Sequence, residues 1–208
     1  MNVHNATASG RGIELLSVMV QWHSGLIPIL SIDYGAGYGF FVRLMRDKGL
    51  DFYWADRYAT NLFAKVAVAD TSGQSRYELL TVFEVFEHLV DPVNEVEQML
   101  RLTESILFTT TLMPSSCPPP DAWWYYGLDH GQHISIYTRR ALEQLATRFK
   151  LRLYTDGNAF HLLTRRRISA RAFRLMTNHK SAYLIDLFVR GRSLIPADYQ
   201  KVTGRPLA

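Results

Sequence analysis

Three groups of residues in this 208-residue chain have types and spacing suited to chemistry. Asp33-Tyr34-Gly35-Ala36-Gly37-Tyr38-Gly39 sets an acid ahead of three glycines on alternate positions, and Asp56 follows 17 residues after Gly39. Glu84-Val85-Phe86-Glu87-His88 then brings two carboxylates and an imidazole together. Glycine takes positive φ at little cost and carries no Cβ, so the first group lets backbone lie against a flat or polar ligand. An acid at the tip of the second strand of a βαβ unit points at the ribose hydroxyls of a bound nucleoside, which makes Asp56 a ribose candidate; its competing role is to cap the following segment. Histidine beside carboxylates suits proton removal near neutral pH.

These groups need elements to hold them. The apolar run Leu26–Leu30 leading to Asp33 reads as a buried strand, the glycines as a tight turn, and Phe41, Leu44 and Met45 as a helix that stops at Lys48-Gly49. Asp51–Asp56 reads as a second strand, Lys65–Ala69 as a short third, and the apolar part of Tyr77–Phe86 as a fourth, whose end brings Glu84 and His88 to the carboxyl edge where open α/β sheets bind ligands. Asp91 and Pro92 start a helix, Ser105–Leu112 forms a fifth strand, and Thr138 caps a helix carrying Leu142, Leu145 and Phe149. Strands over Leu151–Tyr154 and Ala159–Leu163 close the set, and Ile13, Leu16, Val20 and Trp22 suggest an amphipathic helix ahead of it all. A dinucleotide fingerprint wants its last glycine or alanine three residues after Gly37; Phe40 stands there, which weakens a nicotinamide reading.

The acid-x-G-x-G-x-G turn resembles motif I of the class I S-adenosylmethionine-dependent methyltransferases. Glu84–Pro92 resembles the E-V-x-E-H-x-x-D-P segment of the ubiquinone-pathway and sugar-modifying members of that group. The resemblance spans about residues 26–165 and implies a Rossmann-like, seven-stranded, mostly parallel sheet with an antiparallel last strand and helices on both faces. It divides the chain into a cofactor-binding domain over 1–165, with a lid-like insert at 115–137, and a basic helical extension over 166–208. It further implies that Asp33, Gly35, Gly37 and Gly39 cradle the aminocarboxypropyl part of S-adenosylmethionine and that Asp56 takes the ribose. Tyr34, Arg57, Phe83 and Glu84 complete the cofactor set, with S-adenosylhomocysteine as product; Asp70 is a weaker adenine candidate that a turn role explains better.

In such an enzyme the cofactor supplies the reactive methyl, so the protein chiefly orients and excludes water. For a hydroxyl acceptor a base helps by about 10²–10⁴-fold. His88, His133 and Glu84 are the catalytic candidates, with His130 also in the insert. The expected acceptor is a small molecule or a glycan-type compound, methylated at oxygen, with no metal. Two alternatives stay open. Glu84, Glu87, His88 and His133 resemble the metal-binding set of small-RNA 2′-O-methyltransferases, which would make RNA the acceptor, and a non-catalytic cofactor-binding subunit is the other.

Composition narrows the setting. A single cysteine, Cys117, allows no internal disulfide and favours a reducing, cytoplasmic compartment. The formal charge of +4 conceals an asymmetry: from Arg165 onward there are ten Lys/Arg against two Asp. Such a tail suits an anionic membrane surface, or nucleic acid, which is not favoured as a partner; a solvated face is the plain alternative. No run is long enough to span a bilayer.

Overall fold

The computed structural model describes residues 30–129, 131–178, 180 and 191–207. The expected helix over Ile13–Trp22, His130 and the apolar stretch Tyr183–Arg190 lie outside the described residues.

Among the described residues six strands form one sheet: β1 (Ser31–Tyr34), β2 (Phe52–Ala55), β3 (Leu79–Val82), β4 (Ser105–Thr109), β5 (Arg152–Thr155) and β6 (Phe160–Thr164), in the order β2-β1-β3-β4-β6-β5. The first four are parallel, β6 inserts antiparallel to β4, and β5 pairs antiparallel with β6. The antiparallel last strand is as expected; the seventh strand is not present among the described residues. Lys65–Ala69 contributes one parallel bridge, Trp54 to Val68, made by Trp54 N–H to Ala67 O at 2.7 Å and Ala69 N–H to Trp54 O at 2.9 Å. Its small alanines alternate with an exposed Lys65 and Val68, so it has little side chain to pack and pairing does not propagate.

Among the described residues five helices flank the sheet: α1 (Phe40–Asp47), α2 (Pro92–Leu102), α3 (Arg139–Arg148), α4 (Ala170–Met176) and α5 (Ile195–Thr203). Strand side chains alternate between two cores. Leu80, Val82, Ile106, Phe108 and Leu163 meet Val96 and Met99 of α2 and Leu142 and Leu145 of α3, while Leu79, Leu107 and Leu162 meet Val42 and Met45 of α1 and Phe173 and Met176 of α4. Helices therefore cover both faces. The start signals act as expected: Asp91 accepts from Asn94 N–H at 3.1 Å with Pro92 in the first turn, and Thr138 accepts from Ala141 N–H at 3.1 Å. Gly49 follows α1 at φ 83°.

The chain after β6 packs back on the domain. Arg46 of α1, 5% exposed, donates to both oxygens of Asp198 on α5 at 2.6 and 2.8 Å and to Asp51 at 2.7 Å. Among the described residues no helix is long and apolar enough to cross a membrane.

Candidate active site

Because β1, β2 and β3 are parallel and in register, with Asp33 opposite Trp54 and Thr81, their carboxyl ends open on one edge. The loops leaving that edge carry all three chemical groups of the sequence.

The glycine turn uses backbone that only glycine takes easily: Gly35, Gly37 and Gly39 lie at φ 74°, 53° and 85°. A Cβ on Gly35 would meet Val85 Cγ2 at 2.6 Å, and one on Gly39 would meet Asn61 Oδ1 at 2.9 Å, whereas one on Gly37 would meet nothing within 4 Å. Two glycines are thus small because protein presses on them, and the middle one stands at open space. The turn is braced from β2, as Gly35 N–H and Ala36 N–H donate to Ala55 O at 2.9 and 3.2 Å and Trp54 Nε1–H donates to Gly37 O at 2.8 Å.

Asp56 accepts from Gly37 N–H at 2.9 Å with one oxygen and from Tyr58 and Ala59 N–H at 2.7 and 2.8 Å with the other. The capping role anticipated for it is present, and its carboxylate still lines the cleft. Asp33 turns into the sheet, 4% exposed, and accepts from the Thr81 hydroxyl at 2.6 Å. Burial, with help from the nearby Asp56 charge, pushes its carboxyl up to about 7 against the pull of that hydrogen bond.

The cleft has a volume of about 880 Å³ and is bounded by Tyr34, Gly35, Asp56, Arg57, Val85 and His88, with Asp91, Glu95 and Gln98 of α2 as a further wall. This lies within the usual range of about 300–1,000 Å³ for small-molecule sites. Arg57 pairs with Glu95 at 3.0 Å and sits over the Tyr34 ring at 6.0 Å, while Tyr34 donates to Glu95 at 3.1 Å. Asp70 is not in the lining; it accepts from Ser72 N–H and the Ser75 hydroxyl, both at 2.9 Å, as a turn residue does.

The segment after β3 brings Glu84, Glu87 and His88 to the insert. Glu84 has φ 54°, uncommon for a residue with a side chain, and is fastened to Thr109, which receives from Glu84 N–H and donates to Glu84 Oε1, each at 2.9 Å. The backbone carbonyl of Glu87 accepts from Ile134 and Ser135 N–H at 2.9 and 3.0 Å, Ser135 donates to Leu89 O at 2.6 Å, and Tyr137 donates to Phe86 O at 3.0 Å. The part of the insert over 132–137 is thereby fixed against the carboxyl edge.

That attachment places His88 and His133 with ring centres 5.1 Å apart. His88 Nδ1 lies 2.8 Å from Gln132 O and His133 Nδ1 lies 2.6 Å from Tyr125 O. A carbonyl only accepts, so both rings carry a proton on Nδ1, and Nε2 is the basic nitrogen of each neutral ring. Beside them Glu87 is fully buried, and neither of its carboxylate oxygens has a hydrogen-bond partner among the described residues. Burial, reinforced by the charge of Glu84, pushes its acid up to about 7. One ligand atom from each of Glu87, His88 and His133 lies within 4.8 Å of the others.

Sequence reasoning did not find Trp54, Val85, Thr81 or Thr109, which hold the site residues in place. Trp54 had a signal, since it is two residues from Asp56 on the same strand and shares its face. Val85 lies within the Glu84–Pro92 motif, yet nothing there gives it a packing role against Gly35, and Thr81 and Thr109 are hydroxyl residues with nothing in their local sequence to mark them.

A family model described as a methyltransferase domain matches residues 28–155. No curated protein matches the chain. Among solved structures, magnesium protoporphyrin IX methyltransferase from Synechocystis PCC 6803, with bound SAH, superposes at TM-score 0.54 with 11% identity, over 79% of this chain and 88% of that one. The plantazolicin methyltransferase BpumL, in complex with a monoazolic desmethylPZN analogue and SAH, gives 0.55 with 14% identity over 76% and 84%. An O-methyltransferase family 2 protein from Planctomyces limnophilus DSM 3776, in complex with apigenin, gives 0.51 with 11% identity over 66% and 51%. These likenesses show the shared fold, and the family match covers more than half of the sequence: the chain belongs to the class I S-adenosylmethionine-dependent methyltransferases.

Proposed function

We propose that the protein methylates an oxygen of a small-molecule or glycan-type acceptor, with His88 and His133 serving the acceptor proton. The observation that carries this reading is the pair of imidazoles, both pinned through Nδ1 to carbonyls and both basic at Nε2, at the edge where the cleft and the insert meet. The donor set fits the cofactor: open space at Gly37, the Asp56 carboxylate at the tip of β2 and a cleft of about 880 Å³ beside them. S-adenosylmethionine supplies an electrophilic methyl on a sulfonium.

Every other contribution belongs to the chain. The glycine turn would hold the aminocarboxypropyl end, with Asp33 buried behind it against Thr81 rather than reaching the cofactor, Asp56 would hold the ribose, Tyr34 and Arg57 would form the wall beyond it, and the backbone at Phe83 and Glu84 would flank the reacting centre. Thr109 keeps Glu84 in its unusual conformation, so that flank is set before any ligand arrives. As the acceptor oxygen forms its new bond its proton passes to Nε2 of His88 or His133, and the carbonyl at Nδ1 steadies the resulting imidazolium. The insert excludes water and supplies aromatic surface through Trp123 and Trp124. That two enzymes of like fold are complexed with apigenin and an azole-containing analogue supports a small-molecule acceptor.

A second reading rests on Glu87, His88 and His133 converging within 4.8 Å: two nitrogens and a carboxylate suit a divalent ion of borderline hardness, with an RNA 2′-hydroxyl as acceptor. The experiment is a radiolabelled methyl-transfer assay against panels of phenolic, sugar and RNA-end acceptors, with and without EDTA. Transfer to a small hydroxylated acceptor that survives EDTA is the expected result; activity confined to RNA ends and abolished by EDTA replaces the first reading with the second.

A further inference from the structure

We propose that the exposed side of α4, carrying Arg167, Arg171, Arg174 and Leu175, docks on the headgroups of an anionic lipid bilayer. On this short helix Phe173 and Met176 are buried in the sheet core, so the other side is presented outward. Arg171 and Arg174 are three apart and share that side, Arg167 precedes them, and all three are exposed. Leu175 stands beside them at 57% exposure.

What separates this patch from an ordinary solvated surface is its lack of compensating charge. Arg165 faces Glu104 at 3.8 Å and Arg166 pairs with Glu78, so the first two arginines of the run are answered. Arg167, Arg171 and Arg174 make no ion pair among the described residues. Asp156, the described carboxylate nearest in the chain, accepts from Asn158, Ala159 and Phe160 N–H, and Asp198 is 8% exposed and spent on Arg46. A cationic cluster with an exposed aliphatic side chain beside it matches an anionic interface in two ways, since guanidinium groups meet phosphates and the leucine enters the acyl boundary.

The sequence that follows α4 is also apolar. After exposed Lys180 comes Tyr183-Leu184-Ile185-Asp186-Leu187-Phe188-Val189, broken only by Asp186. The chain returns at Gly191, whose N–H donates to Lys48 O at the end of α1 at 3.2 Å. RNA fits less well, because single strands are held by stacking aromatics interleaved with cations, and the described exposed aromatics, Tyr38, Phe40, Tyr58, Phe63, Trp124 and Tyr199, lie on the glycine turn, α1, the segment after β2, the insert and α5, none of them on α4.

The test is flotation of the full chain with phosphatidylcholine vesicles, alone or with about a quarter phosphatidylglycerol. The chain should float with the anionic vesicles only and detach as salt is raised. The double variant Arg171→Glu/Arg174→Glu should lower partitioning by about thirtyfold or more. Leu175→Ser should weaken it severalfold while leaving affinity for a single-stranded RNA oligonucleotide unchanged. Circular dichroism melts of each variant confirm that it is folded. No flotation with anionic vesicles, or flotation that the arginine reversal leaves intact, overturns the proposal. So does RNA binding that strips the chain from vesicles, depends on the same arginines and ignores Leu175→Ser, which assigns the face to nucleic acid. Cofactor binding is independent of every arm.

Discussion

The carboxylate of Asp56, at the tip of β2, accepts the N–H of Gly37 at 2.9 Å and so ties the second strand to the middle of the glycine turn. One side chain thus positions the turn and presents an acid to the cleft. Asp56→Ala removes three accepted hydrogen bonds and should cost about 1–3 kcal/mol of stability and at least about tenfold in S-adenosylhomocysteine affinity. Asp56→Asn keeps one acceptor oxygen for Tyr58 and Ala59 but turns its N–H₂, a donor, toward Gly37 N–H, so it should recover stability more than affinity. Thermal melts paired with calorimetric titration separate the two effects; unchanged affinity in both variants would remove Asp56 from the cofactor site.

Gly35 and Gly37 should respond differently to alanine. At Gly37 the new methyl enters open space at φ 53°, so stability falls by about the 1–2 kcal/mol that left-handed backbone costs, and cofactor affinity falls further. At Gly35 the methyl also collides with Val85 Cγ2 at 2.6 Å, giving a larger stability loss that Val85→Ala partly reverses. A double-mutant cycle on melting free energies should show this coupling, and additive losses would contradict the clash.

Asp33 should make stability depend on pH. Its folded carboxyl, pushed up to about 7 by burial, keeps a proton that the unfolded chain releases near 4. Between those values the folded state binds more protons, so stability falls as pH rises through the window and the loss is complete above the upper value. Asp33→Asn removes the effect and should stabilise the cofactor-free protein by about 1–3 kcal/mol near pH 8, with no gain near pH 4. Urea titrations at both pH values check this, and an equal difference at the two would sink it.

His133→Ala and His88→Ala should each lower kcat for an oxygen acceptor by about 10–10²-fold, the double variant by less than the product, with KM for the cofactor within roughly twofold. Steady-state kinetics on the acceptor identified by the panel assay decides this. A KM effect alone would make the rings part of the binding wall.

Asp198→Ala should leave the buried Arg46 guanidinium with Asp51 as its remaining carboxylate, and cost about 3–5 kcal/mol. Replacing both partners by apolar residues, Arg46→Met with Asp198→Leu, should be far milder. Chemical denaturation of the two variants tests whether α5 is held by this pair.

The sequence by itself determined which residues could meet a cofactor, because turn chemistry and capping are local: three glycines at alternate positions, Asp91-Pro92 and Thr138 each act through neighbours a few residues away. Short apolar runs likewise marked the central strands, which are buried on both faces. That signal overstated Lys65–Ala69, where pairing depends on side-chain packing that five residues do not reveal. Tertiary structure alone decided how the pieces meet. The packing of the insert on Glu87 put His133 beside His88, 45 residues away in the chain; the fold buried the Glu87 carboxyl, and it set Val85 against Gly35. Each of these depends on contacts between distant segments, and burial, which sets the proton affinity of Asp33 and Glu87, has no local signature.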